Sequence, residues 1–104
     1  MCAIHGILDK QYTHMDKMIE AAYHRGPDNN GKYIDDYITL GHNLLSIVGE
    51  VKDGKQPYHY EDCILVYNGE IYNYKDLSHN PKTDTETLAI GLKNEGWELS
   101  LIHI

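Results

Sequence analysis

The sequence predicts an α+β fold, and two kinds of pattern carry that expectation. Short apolar segments bounded by Gly, Pro, Asn and Asp recur along the chain, which is how strands read. Two longer segments carry apolar residues at three- and four-residue intervals, which is the helical period. No internal repeat, low-complexity segment or domain boundary interrupts them.

Taken in order, residues 2–8 read as a first strand, short and mostly apolar. Met15, Met18, Ile19, Ala22 and Tyr23 then fall on one stripe of an amphipathic helix. The helix must stop before Arg25-Gly26-Pro27-Asp28, because Gly and Pro do not continue it, and Asn29-Asn30-Gly31 reads on as a turn. Residues 33–34 and 37–45 suit a hairpin with Asp35-Asp36 at its corner, followed by a polar stretch at 49–56. Residues 63–67 are apolar enough for a strand buried on both faces, and Asn68-Gly69 ends it. Residues 72–77 suit one turn of helix. The last helix has the plainest start signal: Thr83-Asp84-Thr85-Glu86 fits a capping box, with Thr83 as N-cap. Leu88, Ala89, Leu92 and Gly96 form its inner stripe.

Composition narrows the class of function. A net charge of −7, with only nine scattered Lys and Arg, supplies no basic stripe for nucleic acid or an anionic membrane. No apolar run approaches a membrane span, and the first residues do not read as a signal peptide. The cytoplasm is therefore the expected location. The two cysteines, Cys2 and Cys63, are expected to be free thiols there. Seven histidines raise the question of metal, but none stands in a ligand-spaced pair, so no metal site is expected. With no Phe and nine Tyr, the aromatic bulk carries hydroxyls that need partners where they are buried.

Four groups of residues have the types that acyl transfer needs. Cys2 follows the initiator Met, and removal of Met1 would leave a thiol beside its own α-amine. That amine has an ordinary pKa of about 7.7–8.0 and can take the thiol proton directly or through a water. Asn68-Gly69 offers a side-chain amide and a backbone N–H to a developing oxyanion. Arg25 and Asp28, flanking Gly26-Pro27, can cross-brace a tight loop. Asp84, at a helix start, can hold an ammonium group. Each also has an ordinary role when taken alone: a small first residue, a common turn, a structural loop, and a carboxylate that complements the helix dipole.

Together they form a set. Met1-Cys2-Ala3-Ile4-His5-Gly6-Ile7, His24-Arg25-Gly26-Pro27-Asp28, Gln56-Pro57, Asn68-Gly69-Glu70-Ile71-Tyr72-Asn73-Tyr74 and Asp84-Thr85-Glu86 stand in the order and spacing of the class-II glutamine amidotransferases. The chain resembles their asparagine synthetase branch over residues 1–98. The resemblance implies an N-terminal nucleophile hydrolase fold, a four-layer αββα sandwich that is incomplete in this chain. It implies that Cys2 attacks the side-chain amide of glutamine, with Asn68 and the Gly69 N–H as oxyanion hole. Glu70 and Asp84 match substrate-binding positions, Asp84 being the better match for the ammonium. The ammonia would pass to a synthetase domain absent here, where ATP and magnesium are expected; no cofactor is expected in this chain. A homodimer is compatible with a full-length protein of this kind.

Two departures stand beside the resemblance. Where the family carries an Arg that clamps the α-carboxylate of glutamine, this sequence has Leu44. That favours an alternative, a glutaminase-like module that binds or regulates without catalysis. An amidotransferase with another acceptor is a further alternative. Leu99-Ser100-Leu101-Ile102-His103-Ile104 is unlike the family and can be back-translated into a transposon adapter of sequencing libraries, so residues 99–104 are expected to be a non-native tail.

Overall fold

Strand pairing is organised around the segment whose side chains are most completely buried. In the computed structural model, which describes residues 2–46, 51–77 and 80–95, β1 (Ala3–Ile7) is followed by helix α1 (Tyr12–Ala21) and a 3-10 turn at Tyr23–Arg25. Strands β2 (Asn29–Ile34) and β3 (Thr39–Leu44) come next. These three strands make an antiparallel sheet in the order β1-β3-β2. The central strand β3 buries every residue but Leu40.

The two-residue period of β3 sorts its side chains between layers. Gly41 and Asn43 face α1: a Cβ on Gly41 would collide with Met15, and Asn43 donates to the Ile19 carbonyl at 3.0 Å. Met15 and Ile19 are the buried members of the expected helical stripe. Tyr23 lies in the 3-10 turn and is 60% exposed, so the stripe ends sooner than its sequence pattern. Thr39 ties the start of α1 to the sheet, accepting from the Gln11 N–H at 3.0 Å and donating to the Asp9 carbonyl at 2.8 Å. His42 and Leu44 point to the opposite face, away from α1.

The expected hairpin forms, with two corrections. Asn29-Asn30-Gly31 is strand rather than turn, paired with Leu44, Asn43 and His42 of β3. Gly31 is in the strand because the Gln56 carbonyl packs where its Cβ would be. The corner is also wider than expected. Asp35 accepts from the N–H groups of Tyr37 at 2.7 Å and Ile38 at 2.9 Å, and these two residues belong to the turn. An Asp side chain that closes such an Asx turn competes with ladder pairing and delays the next strand.

A smaller antiparallel sheet follows, of β4 (Tyr58–Tyr60) and β5 (Cys63–Leu65). The strand expected at 63–67 is thus shorter, and it is half-buried rather than buried on both faces. Strand β4 was not anticipated. Two residues join the strands, and Glu61 takes the left-handed conformation (φ 52°) that tight hairpins favour. Helix α2 (Tyr74–Leu77) is the expected single turn, and α3 (Asp84–Glu95) packs against α2 and the small sheet. Leu88 and Ala89 are buried as expected and Leu92 is half-buried, while Gly96 lies outside the described residues. The capping box is half formed. Thr83 Oγ1 accepts from the Glu86 N–H at 3.2 Å, but the Glu86 carboxylate reaches one residue further back, to the Lys82 N–H at 2.8 Å. No described helix is long and apolar enough to cross a membrane. The tail at 99–104 lies outside the described residues.

Candidate active site

The first wall of the site is built where β1 and β3 run out together. Ala3 pairs with Asn43, which brings Cys2 beside the residues after β3. The Cys2 sulfur lies 3.4 Å from the Leu45 nitrogen, which donates to it, and 3.6 Å from the Leu45 carbonyl, to which the thiol donates. Cys2 is half-buried and unpaired in any disulfide, as is Cys63.

The His24-Arg25-Gly26-Pro27-Asp28 loop braces this wall. Arg25 Nε donates to the Cys2 carbonyl at 3.2 Å. Asp28 accepts from the Ser46 N–H at 2.8 Å, and its own N–H donates to the Leu44 carbonyl at 3.0 Å. Arg25 and Asp28 therefore reach outward to two strand ends. Gly26 allows this approach, since a Cβ there would stand 2.5 Å from the Asn43 carbonyl carbon. Rigid backbone offers no relief for such a clash.

The opposite wall is the segment leaving β5. Tyr67 is half-buried, and Asn68, Gly69 and Glu70 are exposed along the rim. The Tyr67 ring folds over Gly69: its hydroxyl oxygen would be 2.6 Å from a Cβ at that position. Beyond the rim, Asp84 closes the site from the start of α3. It is 7% exposed, and each carboxylate oxygen accepts one backbone N–H, from Ile71 at 3.1 Å and from Thr85 at 2.9 Å. Each oxygen keeps a lone pair, so the carboxylate is oriented but still able to accept from a ligand.

These walls enclose a cleft of about 240 Å³. Cys2, Asn68, Gly69, Glu70 and Asp84, the residues singled out in the sequence, all line it, and so does Leu44. Ser46, Gly54, Gln56, Tyr67, Thr83 and Thr85 complete most of the lining. Among the described lining residues the only charges are the carboxylates of Glu70 and Asp84. Their effect is visible at Tyr67, whose hydroxyl pKa is pushed up to about 12 by burial first and then by Asp84 and Glu70. An incoming cation is favoured in such a field, and an anion needs a partner of its own.

Sequence reasoning assigned no part to Gln56, Tyr67 or Thr85. Gln56 and Thr85 had a signal, as members of the quoted Gln56-Pro57 and Asp84-Thr85-Glu86 motifs; Tyr67 had only its position beside Asn68.

The chain matches the glutamine amidotransferase domain family over residues 1–98 and belongs to it. Among its relatives are "Asparagine synthetase [glutamine-hydrolyzing] 1" of Bacillus subtilis (strain 168), 35% identical over 85% of this chain, and "Asparagine synthetase B [glutamine-hydrolyzing]" of Escherichia coli (strain K12), 39% identical over 74% of it. The match spans 17% and 15% of those two proteins' own lengths. "Amidase chry2" of Gibberella zeae is 37% identical over 59% of the chain.

Proposed function

We propose that this chain is the glutamine-hydrolysing part of an asparagine synthetase, with Cys2 as nucleophile. The observation that carries the reading is the cleft itself, which Cys2 shares with Asn68-Gly69 and Asp84 although more than sixty residues separate them in sequence. After removal of Met1, the free α-amine takes the thiol proton and the sulfur attacks the side-chain carbonyl carbon of glutamine. The oxyanion that forms is held by the Asn68 amide and the Gly69 N–H, which line the cleft with Cys2 and are donors of the kind that stabilise such a charge. The C–N bond then breaks, and the leaving amide nitrogen receives the proton from the α-ammonium and departs as ammonia. Water, deprotonated by the same amine, attacks the thioester to give glutamate and restore the thiol. Asp84, with Glu70 at the rim, receives the substrate ammonium.

Ammonia would pass to a synthetase domain outside this chain, where ATP and magnesium are expected. The packing of α1 on the larger sheet and of α3 on the smaller one supports the N-terminal nucleophile hydrolase sandwich as the parent fold. The absence of a cation from the described lining, with Leu44 at the expected carboxylate clamp, favours a second reading: a related module that binds without turnover. Mass analysis for loss of Met1, followed by labelling with a glutamine-analogue electrophile, separates the two. Cys2→Ala should abolish glutamine-dependent activity and spare ammonia-dependent synthesis in the full-length protein. Glutaminase turnover that survives Cys2→Ala would rule out the catalytic reading.

A further inference from the structure

Two buried polar side chains at the cleft, Gln56 in its lining and His42 on the cleft side of β3, take no part in the chemistry just described. Gln56 is 5% exposed and His42 0% exposed, and buried polar groups of this kind are kept for the bonds they make. Both converge on one residue. Gln56 Oε1 accepts from the Tyr67 N–H at 2.6 Å. His42 Nε2 lies 3.1 Å from the Tyr67 carbonyl, and because a carbonyl only accepts, that nitrogen carries the proton. The main-chain donor and acceptor of Tyr67 are thus both held by side chains from other parts of the chain.

Tyr67 is the residue immediately before Asn68-Gly69. A peptide unit is planar, so fixing the Tyr67 carbonyl also fixes the plane that contains the Asn68 nitrogen and Cα. The two clamping residues are anchored on opposite walls. His42 belongs to β3, which pairs with β1, the strand that Cys2 immediately precedes. Gln56 Nε2 donates to Thr85 Oγ1 at 3.3 Å, and the Thr85 N–H donates to Asp84 at 2.9 Å. One continuous set of bonds therefore joins the nucleophile's sheet, the oxyanion segment and the carboxylate at the start of α3.

We infer that Gln56 and His42 are positioning residues: their grip on the Tyr67 backbone sets Asn68 and Gly69 against Cys2 and Asp84. The inference rests on the proposed roles of Asn68 and Gly69. Its test compares Gln56→Met and His42→Leu, which remove the bonds while keeping bulk, with His42→Gln, which restores an N–H donor. Glutaminase kcat and KM and the hydrogen exchange of residues 66–70 are measured in the full-length protein. Deleting an oxyanion donor outright costs about 10²–10³ in kcat, so a donor left in place but loosened should cost roughly 10-fold to 100-fold. The expected result is that loss in Gln56→Met and His42→Leu, KM within about threefold, faster exchange confined to 66–70, and substantial recovery in His42→Gln. If Gln56→Met fails to fold, Thr85→Val removes only the anchor of Gln56 and should lower kcat severalfold.

A folded Gln56→Met or His42→Leu protein with kcat within twofold of the parent overturns the inference. So does a loss that His42→Gln does not relieve and that merely follows the melting temperature. If parent and Cys2→Ala proteins prove equally inert toward glutamine, the catalytic reading fails separately. The exchange data then decide the clamp alone: unchanged protection at 66–70 in both variants refutes it, and selective loss upholds it.

Discussion

Replacing Leu44 with Arg tests whether a missing cation limits this site. Leu44 is 6% exposed, lies on the cleft side of β3 and shares the cleft with Cys2, Glu70 and Asp84. A guanidinium there can make a bidentate, charge-assisted contact with the α-carboxylate of glutamine. Such a contact contributes about 1.5–3 kcal/mol, or roughly 10-fold to 150-fold in affinity. Glu70 and Asp84 will attract the same guanidinium when the cleft is empty, which sets the expectation near the lower end, about tenfold in KM. The substitution also removes a buried Leu side chain, at a cost of about 1.5–3 kcal/mol in stability if the new side chain recovers none of the packing. Leu44→Arg should therefore lower KM for glutamine, leave kcat nearly unchanged and lower the melting temperature by several degrees. Steady-state glutamate release over a range of glutamine concentrations, with a thermal melt of the same samples, measures both effects. A folded Leu44→Arg protein with the parent's KM would show that the carboxylate is held elsewhere and that Leu44 is not the vacant position.

Further outcomes follow from the same geometry. Gly26→Ala should destabilise by about 1–3 kcal/mol or more, because the new Cβ meets main chain at Asn43 and Leu44 rather than a yielding side chain; a chemical-denaturation midpoint equal to the parent's contradicts this. Thr83→Ala should cost about 1 kcal/mol by removing the cap from the Glu86 N–H, and Thr83→Ser should recover most of it; equal urea midpoints for all three proteins would show the cap to be idle. His42 has its pKa lowered, chiefly by burial and further by His5, with the Tyr67 carbonyl acting in the opposite direction. The folded imidazole thus stays neutral to lower pH than in the unfolded chain, where it gains a proton near its ordinary pKa of about 6.5. The unfolded state then binds more protons as pH falls below that value, so stability should decline there and be flat above it. His42→Gln should be less sensitive between pH 7 and pH 5.5 than the parent, and parallel profiles for the two would remove His42 as the cause.

Local sequence alone determined β1, α1 and α3, because each carries its own signal. β1 is an apolar run, α1 has a stripe at Met15 and Ile19, and α3 starts at a capping Thr83. It also singled out Cys2 and Asp84 by chemical type, and the family resemblance added Glu70; all three line the cleft. Tertiary structure decided what depends on partners far along the chain. Asn29-Asn30-Gly31 has turn chemistry, yet it pairs with β3 because ladder bonds and the close approach of Gln56 outweigh local preference. Tyr58-His59-Tyr60 does alternate half-buried and exposed residues, but three residues are too few to declare a strand until Cys63–Leu65 pairs with them. That Cys2 and Asn68-Gly69 line one cleft depends on the register of β1 on β3 and on long-range bonds such as those of Gln56 and His42 to Tyr67. Such contacts join residues whose separation no local period records, and only the closed fold brings them together.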